Sequence, residues 1–188
     1  MTERAYIQDR KDETDQCASR EDFCRIFTED LDGLYQLSFL LTRDPQKAEQ
    51  CFVGGLEDCV AGNPIFREWA RSWAKRAIVQ NAISELKPRP GLSNSPTSAA
   101  IFLDINQRSS GRAHHFEFDA VFGLEDYERF VFVMSVLEHY SQDDCALLLG
   151  CSVPEVQEAR TRALKELAAS PHMDRPQNHI VRSGEEVK

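Results

Sequence analysis

Residues 141–167 read SQDDCALLLGCSVPEVQEARTRALKEL, two helical patterns on either side of a glycine. Ser141 is followed three residues later by Asp144, and Ser152 three residues later by Glu155. Both have capping-box form, in which hydroxyl and carboxylate satisfy orphan backbone donors at a helix start. Cys145, Leu148 and Leu149 give the first helix an apolar face, and Gly150 sits where a left-handed residue would end it. Val153, Val156, Ala159, Ala163 and Leu167 then recur at helical spacing, with Pro154 tolerated in the first turn. The stretch therefore predicts a helix-turn-helix hairpin. Such a hairpin either packs only against its neighbours or places its second helix in a DNA major groove.

Working outward, Leu124–Tyr140 predicts an apolar helix leading into the hairpin, with Tyr127, Phe130, Val131, Val133, Met134 and Leu137 on its buried face and Phe132 widening it. Before it, residues 88–115 change to Pro, Gly, Ser, Asn and Thr. PRPGLSNSPTS buries too little apolar area to offset its ordering entropy, so 88–115 reads as a flexible linker between two small helical domains, 19–87 and 116–169. The polar stretches 1–18 and 170–188 read as a disordered arm and tail.

The first domain opens with Ser19 and Asp22, another capping pair. Phe23, Ile26, Phe27, Leu34, Leu37 and Leu41, widened by Leu31 and Tyr35, predict one long amphipathic helix that tolerates Gly33 mid-way. Asp44 and Pro45 start a second helix carrying Ala48, Cys51, Phe52, Leu56, Cys59 and Val60 up to Gly62-Asn63-Pro64. Its central Gly54-Gly55 predicts either a kink or the close approach of another backbone. A third helix is expected from Ile65 to Leu86, with Phe66, Trp69, Trp73, Ala77, Ile78 and Ile83 as candidates for its buried side. Its other side is basic: Arg67, Arg71, Lys75, Arg76 and Lys87 face only Glu68 and Glu85. A cationic helix beside two tryptophans suits single-stranded nucleic acid, provided the rings are exposed rather than core.

The chain of 188 residues is 41% hydrophobic and 28% charged, the composition of a soluble globular protein, and carries a net charge of −9; the helical periodicities make the expected fold all-α. That balance argues against a protein that coats nucleic acid non-specifically. With no apolar run long enough for a membrane span or signal peptide, the expected location is the cytoplasm. Six cysteines without C-x-x-C spacing read as small buried hydrophobes, and no metal site or cofactor is expected. Without a glycine-rich phosphate loop or nucleophile elbow, enzyme chemistry is not expected either.

With its pieces in this order the chain resembles bacterial extracytoplasmic-function sigma factors over about Asp22–Leu167. FCRIFTEDLDGLYQLSFLLTRDPQKAEQ and FREWARSWAKRAIVQNAI look like the polymerase-binding and promoter-melting helices, and ERFVFVMSVLEHYSQDDCALLLGCSVPEVQEARTRAL looks like the module that reads the upstream promoter element. Trp69, Ala74 and Lys75 fall on family-typical positions of the melting helix, and Ala146, Leu149, Gly150, Val153, Val156 and Arg162 on those of the hairpin.

The resemblance implies core RNA polymerase and promoter DNA, duplex and melted strand, as partners, and leaves room for an anti-sigma factor. It implies polymerase contacts at Ala48, Glu49, Gln50, Val53 and Gly54. It implies DNA contacts at Arg71, Trp73, Lys75, Arg76, Ser152, Glu155, Gln157, Glu158, Arg160, Arg162 and Lys165. Two segments depart from the family pattern. QCFVGGLED replaces an acidic valine-glutamine-glutamate run, and Glu155, Gln157, Glu158 and Ala159 stand where threonine, lysine, serine and arginine are usual. Leu124–Leu167 holds nine acids against four basic residues. The alternative is thus a sigma-derived module that has lost promoter binding and acts through protein partners.

Overall fold

The computed structural model describes residues 16–91 and 118–169. The expected arm, most of the linker and the tail lie outside them. The described residues are all-α, apart from one isolated bridge between Cys17 and Phe66. That bridge, with Ala18 N–H donating to Ile65 O at 2.7 Å, starts the ordered first unit just ahead of Ser19.

Helices α1 (Arg20–Glu29) and α2 (Leu31–Thr42) replace the single long helix expected from sequence. The break falls at Asp30, with φ −113° and ψ 32°. Asp30, Asp32 and Gly33 are poor helix formers in succession, and the Asp30 carboxylate folds over Gly33 so closely that a Cβ there would lie 2.5 Å from its oxygen. The break leaves Leu31 exposed instead of on the core face. Helix α1 has a complete capping box: Asp22 N–H donates to Ser19 Oγ and Ser19 N–H to Asp22 Oδ2.

Helix α3 (Pro45–Ala61) starts where expected, with Asp44 Oδ1 accepting from Gln46 and Lys47 N–H at 2.8 and 3.1 Å. It runs through Gly54-Gly55 without interruption. A Cβ on Gly55 would sit 2.8 Å from Ile78 Cγ1 and 3.2 Å from Ile78 N, so the glycine pair serves the close approach of helix α4 (Ala70–Leu86). Close approach explains the buried stripe of α4, where Ala70, Ala74, Ala77 and Ala82 join Ile78 and Val79.

In the second unit α5 (Asp119–Gly123) and α6 (Asp126–Phe132) flank Leu124 in an extended conformation, and Val133–Leu137 form a π-helical turn. The single helix expected to reach Tyr140 thus runs without a break from Asp126 to Leu137, widening to a π turn at its end, and stops early. Near its end the Ser135 hydroxyl donates to Val131 O at 2.6 Å, a carbonyl that the regular ladder would use. The chain then turns through His139 at φ 58°. The hairpin follows as expected: α7 (Gln142–Leu149), Gly150 at φ 66°, and α8 (Val153–Ala169).

The two units share one apolar core. Phe39 of α2 meets Phe122 edge-on at 5.4 Å. Arg129, fully buried, reaches from α6 to donate twice to Leu41 O, at 3.0 and 3.3 Å, and to Asp126 Oδ1 at 2.7 Å. Arg43 closes the other side, donating to the same Asp126 oxygen at 2.7 Å and to Phe122 O at 2.8 Å. Arg129 thus caps Leu41 O, a carbonyl left open at the end of α2. Burial lowers its pKa to about 10, with repulsion from Arg43 adding and Asp126 opposing, so it remains charged at neutral pH.

Candidate nucleic-acid interface

Because alanines fill much of the buried side of α4, Trp73 and the preceding Trp69 lie at the rim. Trp69 ends the 3-10 turn Arg67–Trp69 and is 57% exposed, and Phe66, 46% exposed, meets it edge-on at 5.2 Å. Trp73, one turn on, is half-buried. Phe66 and Trp69 thus leave the core expected for them. Trp69 is also absent from the candidate DNA contacts read from sequence, although its spacing of four from Trp73 and its arginine flanks are a usable signal.

Both tryptophans line a cleft of about 820 Å³ between the units, together with Arg71, Lys75, Arg76 and Tyr140. The cations are paired. Arg67 and Arg71 reach within the first unit, to Asp22 at 3.2 Å and Glu29 at 3.0 Å. Lys75 and Arg76 reach across to the second unit, to Glu138 at 2.7 Å and Asp144 at 3.9 Å. Sequence spacing carries no sign of these last two pairs, because they join residues more than sixty positions apart. Burial, then the nearby Glu138 carboxylate, pushes the Tyr140 phenol up to about 12, so it meets a ligand as a neutral group.

On the hairpin the geometry is different. Ser152 N–H and Oγ both donate to Glu155 Oε2, at 2.8 and 2.7 Å. These bonds, the backbone one first, hold the Glu155 carboxyl below its ordinary value. Glu155 is accordingly turned back to its own helix start. Gln157 donates to Gln142 at 2.7 Å, tying the two hairpin helices, and Tyr127 O–H meets Cys151 Sγ at 3.2 Å, tying the turn to α6. Arg162 donates to the buried Glu128 and lies 3.9 Å from Glu158. Lys165 and Glu158 are exposed, Ser152 is exposed at the helix start, and Arg160 is half-buried. The face read as DNA-contacting therefore presents Lys165 and Thr161 beside a hollow lined by Glu125, Glu128, Glu155 and Glu158 together with Arg162.

The residues read as polymerase contacts separate into two groups. Glu49, Gln50 and Val53 are exposed along α3. Ala48 is fully buried and supports that face from beneath, and Gly54 is half-covered by Asn81, whose amide donates to Asp58 at 2.7 Å.

A hairpin with a left-handed glycine turn and an exposed second helix defines a helix-turn-helix module. Residues 121–167 match the family model described as Sigma-70, region 4. The match spans α5 to α8, about a quarter of the chain, and supports a DNA-binding module of the sigma-factor kind that acts in transcription without catalytic chemistry. No curated protein matches the chain. Among the described residues no helix is long and apolar enough to cross a membrane.

Proposed function

We propose that this chain is a sigma factor of the extracytoplasmic-function type, which binds core RNA polymerase and directs it to a promoter from the cytoplasm. The observation that carries this reading is the region 4 match on α5–α8, placed after a helix bearing exposed Trp69 and a row of cations. In it Glu49, Gln50 and Val53 face the polymerase, Trp69, Trp73 and Arg71 meet unstacked bases and phosphates of the melted strand, and α8 enters the major groove with Lys165 and Gln157. An anti-sigma factor is a natural further partner. Purified protein is expected to co-elute with core polymerase at low salt and to start transcription on a promoter library. Failure of both would sink the proposal.

A second reading, a sigma-derived module that acts through protein partners, is favoured by Glu128 and Glu158 occupying Arg162 and by Glu155 filling the helix start. Fluorescence anisotropy with duplex DNA separates the two. Binding that falls steeply with salt requires cation–phosphate contacts and contradicts the second reading.

A further inference from the structure

The pairs across the unit boundary differ from the others on the same helix. Arg67 and Arg71 side chains are 56% and 58% exposed and pair with acids of their own unit, so movement between the units leaves them as they are. Lys75 and Arg76 are 39% and 25% exposed, and both pair with acids of the second unit. Glu138 follows the π-helical turn, its side chain only 17% exposed. Asp144 divides its carboxylate between Arg76 through Oδ1 and the Ser141 hydroxyl through Oδ2. A carboxylate held 2.7 Å from a lysine amine occupies the place a phosphate oxygen would take. Both acids lie in the wall of the aromatic cleft that Trp69 and Trp73 line.

We propose that Glu138 and Asp144 act as built-in stand-ins for phosphate and occupy two cations of the aromatic–basic cleft, so that an incoming single strand must displace them from Lys75 and Arg76. Binding and separation of the two units along this edge are then one event. Polyanion and the second unit compete for the same two cations. This rests on the reading of α4 as a single-strand contact, and it adds a regulator within the chain: anything that draws Glu138 and Asp144 away frees Lys75 and Arg76 in the cleft.

The chain's two tryptophans, Trp69 and Trp73, both line the cleft, so their emission reports on it directly. Full-length protein and its Glu138→Gln variant are compared by acrylamide quenching without nucleic acid and by anisotropy with a labelled oligothymidylate, folding being checked by circular dichroism. Asp144→Asn, which keeps a side-chain acceptor for Ser141, is the second variant. The expected result for each is stronger quenching and oligonucleotide binding tightened by about threefold, the scale of one partly exposed ion pair. Unchanged quenching and affinity in both variants overturn the proposal. Stronger quenching with no oligonucleotide bound by any form overturns instead the single-strand reading of α4.

Discussion

The two candidate nucleic-acid faces, α4 and α8, differ in where their cations find partners. On α4, Lys75 and Arg76 pair with acids of the other unit, while exposed Trp69 remains available at the rim. On α8, Arg162 is held by Glu128, a buried carboxylate of the same unit, and by Glu158 one turn away. Rigid-body movement between units therefore unmasks charge on α4 and changes nothing on α8. A basic residue counted in a sequence is not yet a contact. Its value depends on whether its partner travels with it.

The sharpest way to break this comparison is to remove the contact that makes the units one body. Arg129→Ala strips two donors from Leu41 O and one from Asp126 Oδ1. Deleting one member of a buried charged network typically costs about 3 kcal/mol or more. For a chain of this size that lowers the thermal midpoint by roughly 10 °C, and a melt within a degree or two of wild type would show that the clasp does not hold the units. Next in size, Gly55→Val drives a branched side chain into Ile78. Overpacking of this kind costs about 2 kcal/mol, read as a lower urea midpoint at unchanged slope.

Trp69→Ala tests the α4 face itself. Loss of one stacking ring weakens single-strand binding by about tenfold, and because the ring is exposed the melting temperature should hardly move. An equal loss on Arg162→Ala would erase the distinction between the faces. On α8 the effect is smaller. Glu158→Ser removes an exposed carboxylate and should tighten duplex binding by about twofold at low salt, measured by anisotropy. No change is expected if that surface meets protein instead.

The smallest effect is in acid. Asp22 and Glu155 are both held below their ordinary values, each first by a serine backbone N–H of its capping pair. A depressed folded pKa means stabilisation that is complete above the unfolded value and disappears as pH falls through the folded one. Urea midpoints should therefore decline as pH falls below the ordinary carboxylate range. Side-chain NMR titrations of the two carboxyls should show midpoints below the ordinary carboxylate range.

Helix ends were legible because their chemistry is local. Ser19 with Asp22, Asp44 with Pro45, and Gly150 each declare themselves within four residues, and each is where it was expected. The break at Asp30 was also written locally, in three poor helix formers, but the strong apolar period running across it hides the signal. The rims were less legible. Trp69 and Phe66 match a buried pattern as well as an exposed one, and the outcome depended on a stripe of Ala70, Ala74, Ala77 and Ala82 with Ile78 and Val79 taking the buried side of α4. Arg129, one of the four cations of its unit, looks in sequence like an available charge, and its burial required a carbonyl eighty-eight residues away.

The sequence alone determined the all-α class, the two helical units and the hairpin turn, since caps, periodicity and a left-handed glycine act over one or two helical turns. Tertiary structure alone decided which charges are free to meet a ligand. That choice depends on pairs such as Lys75–Glu138 and Arg162–Glu128, whose energies arise only once distant segments share a surface.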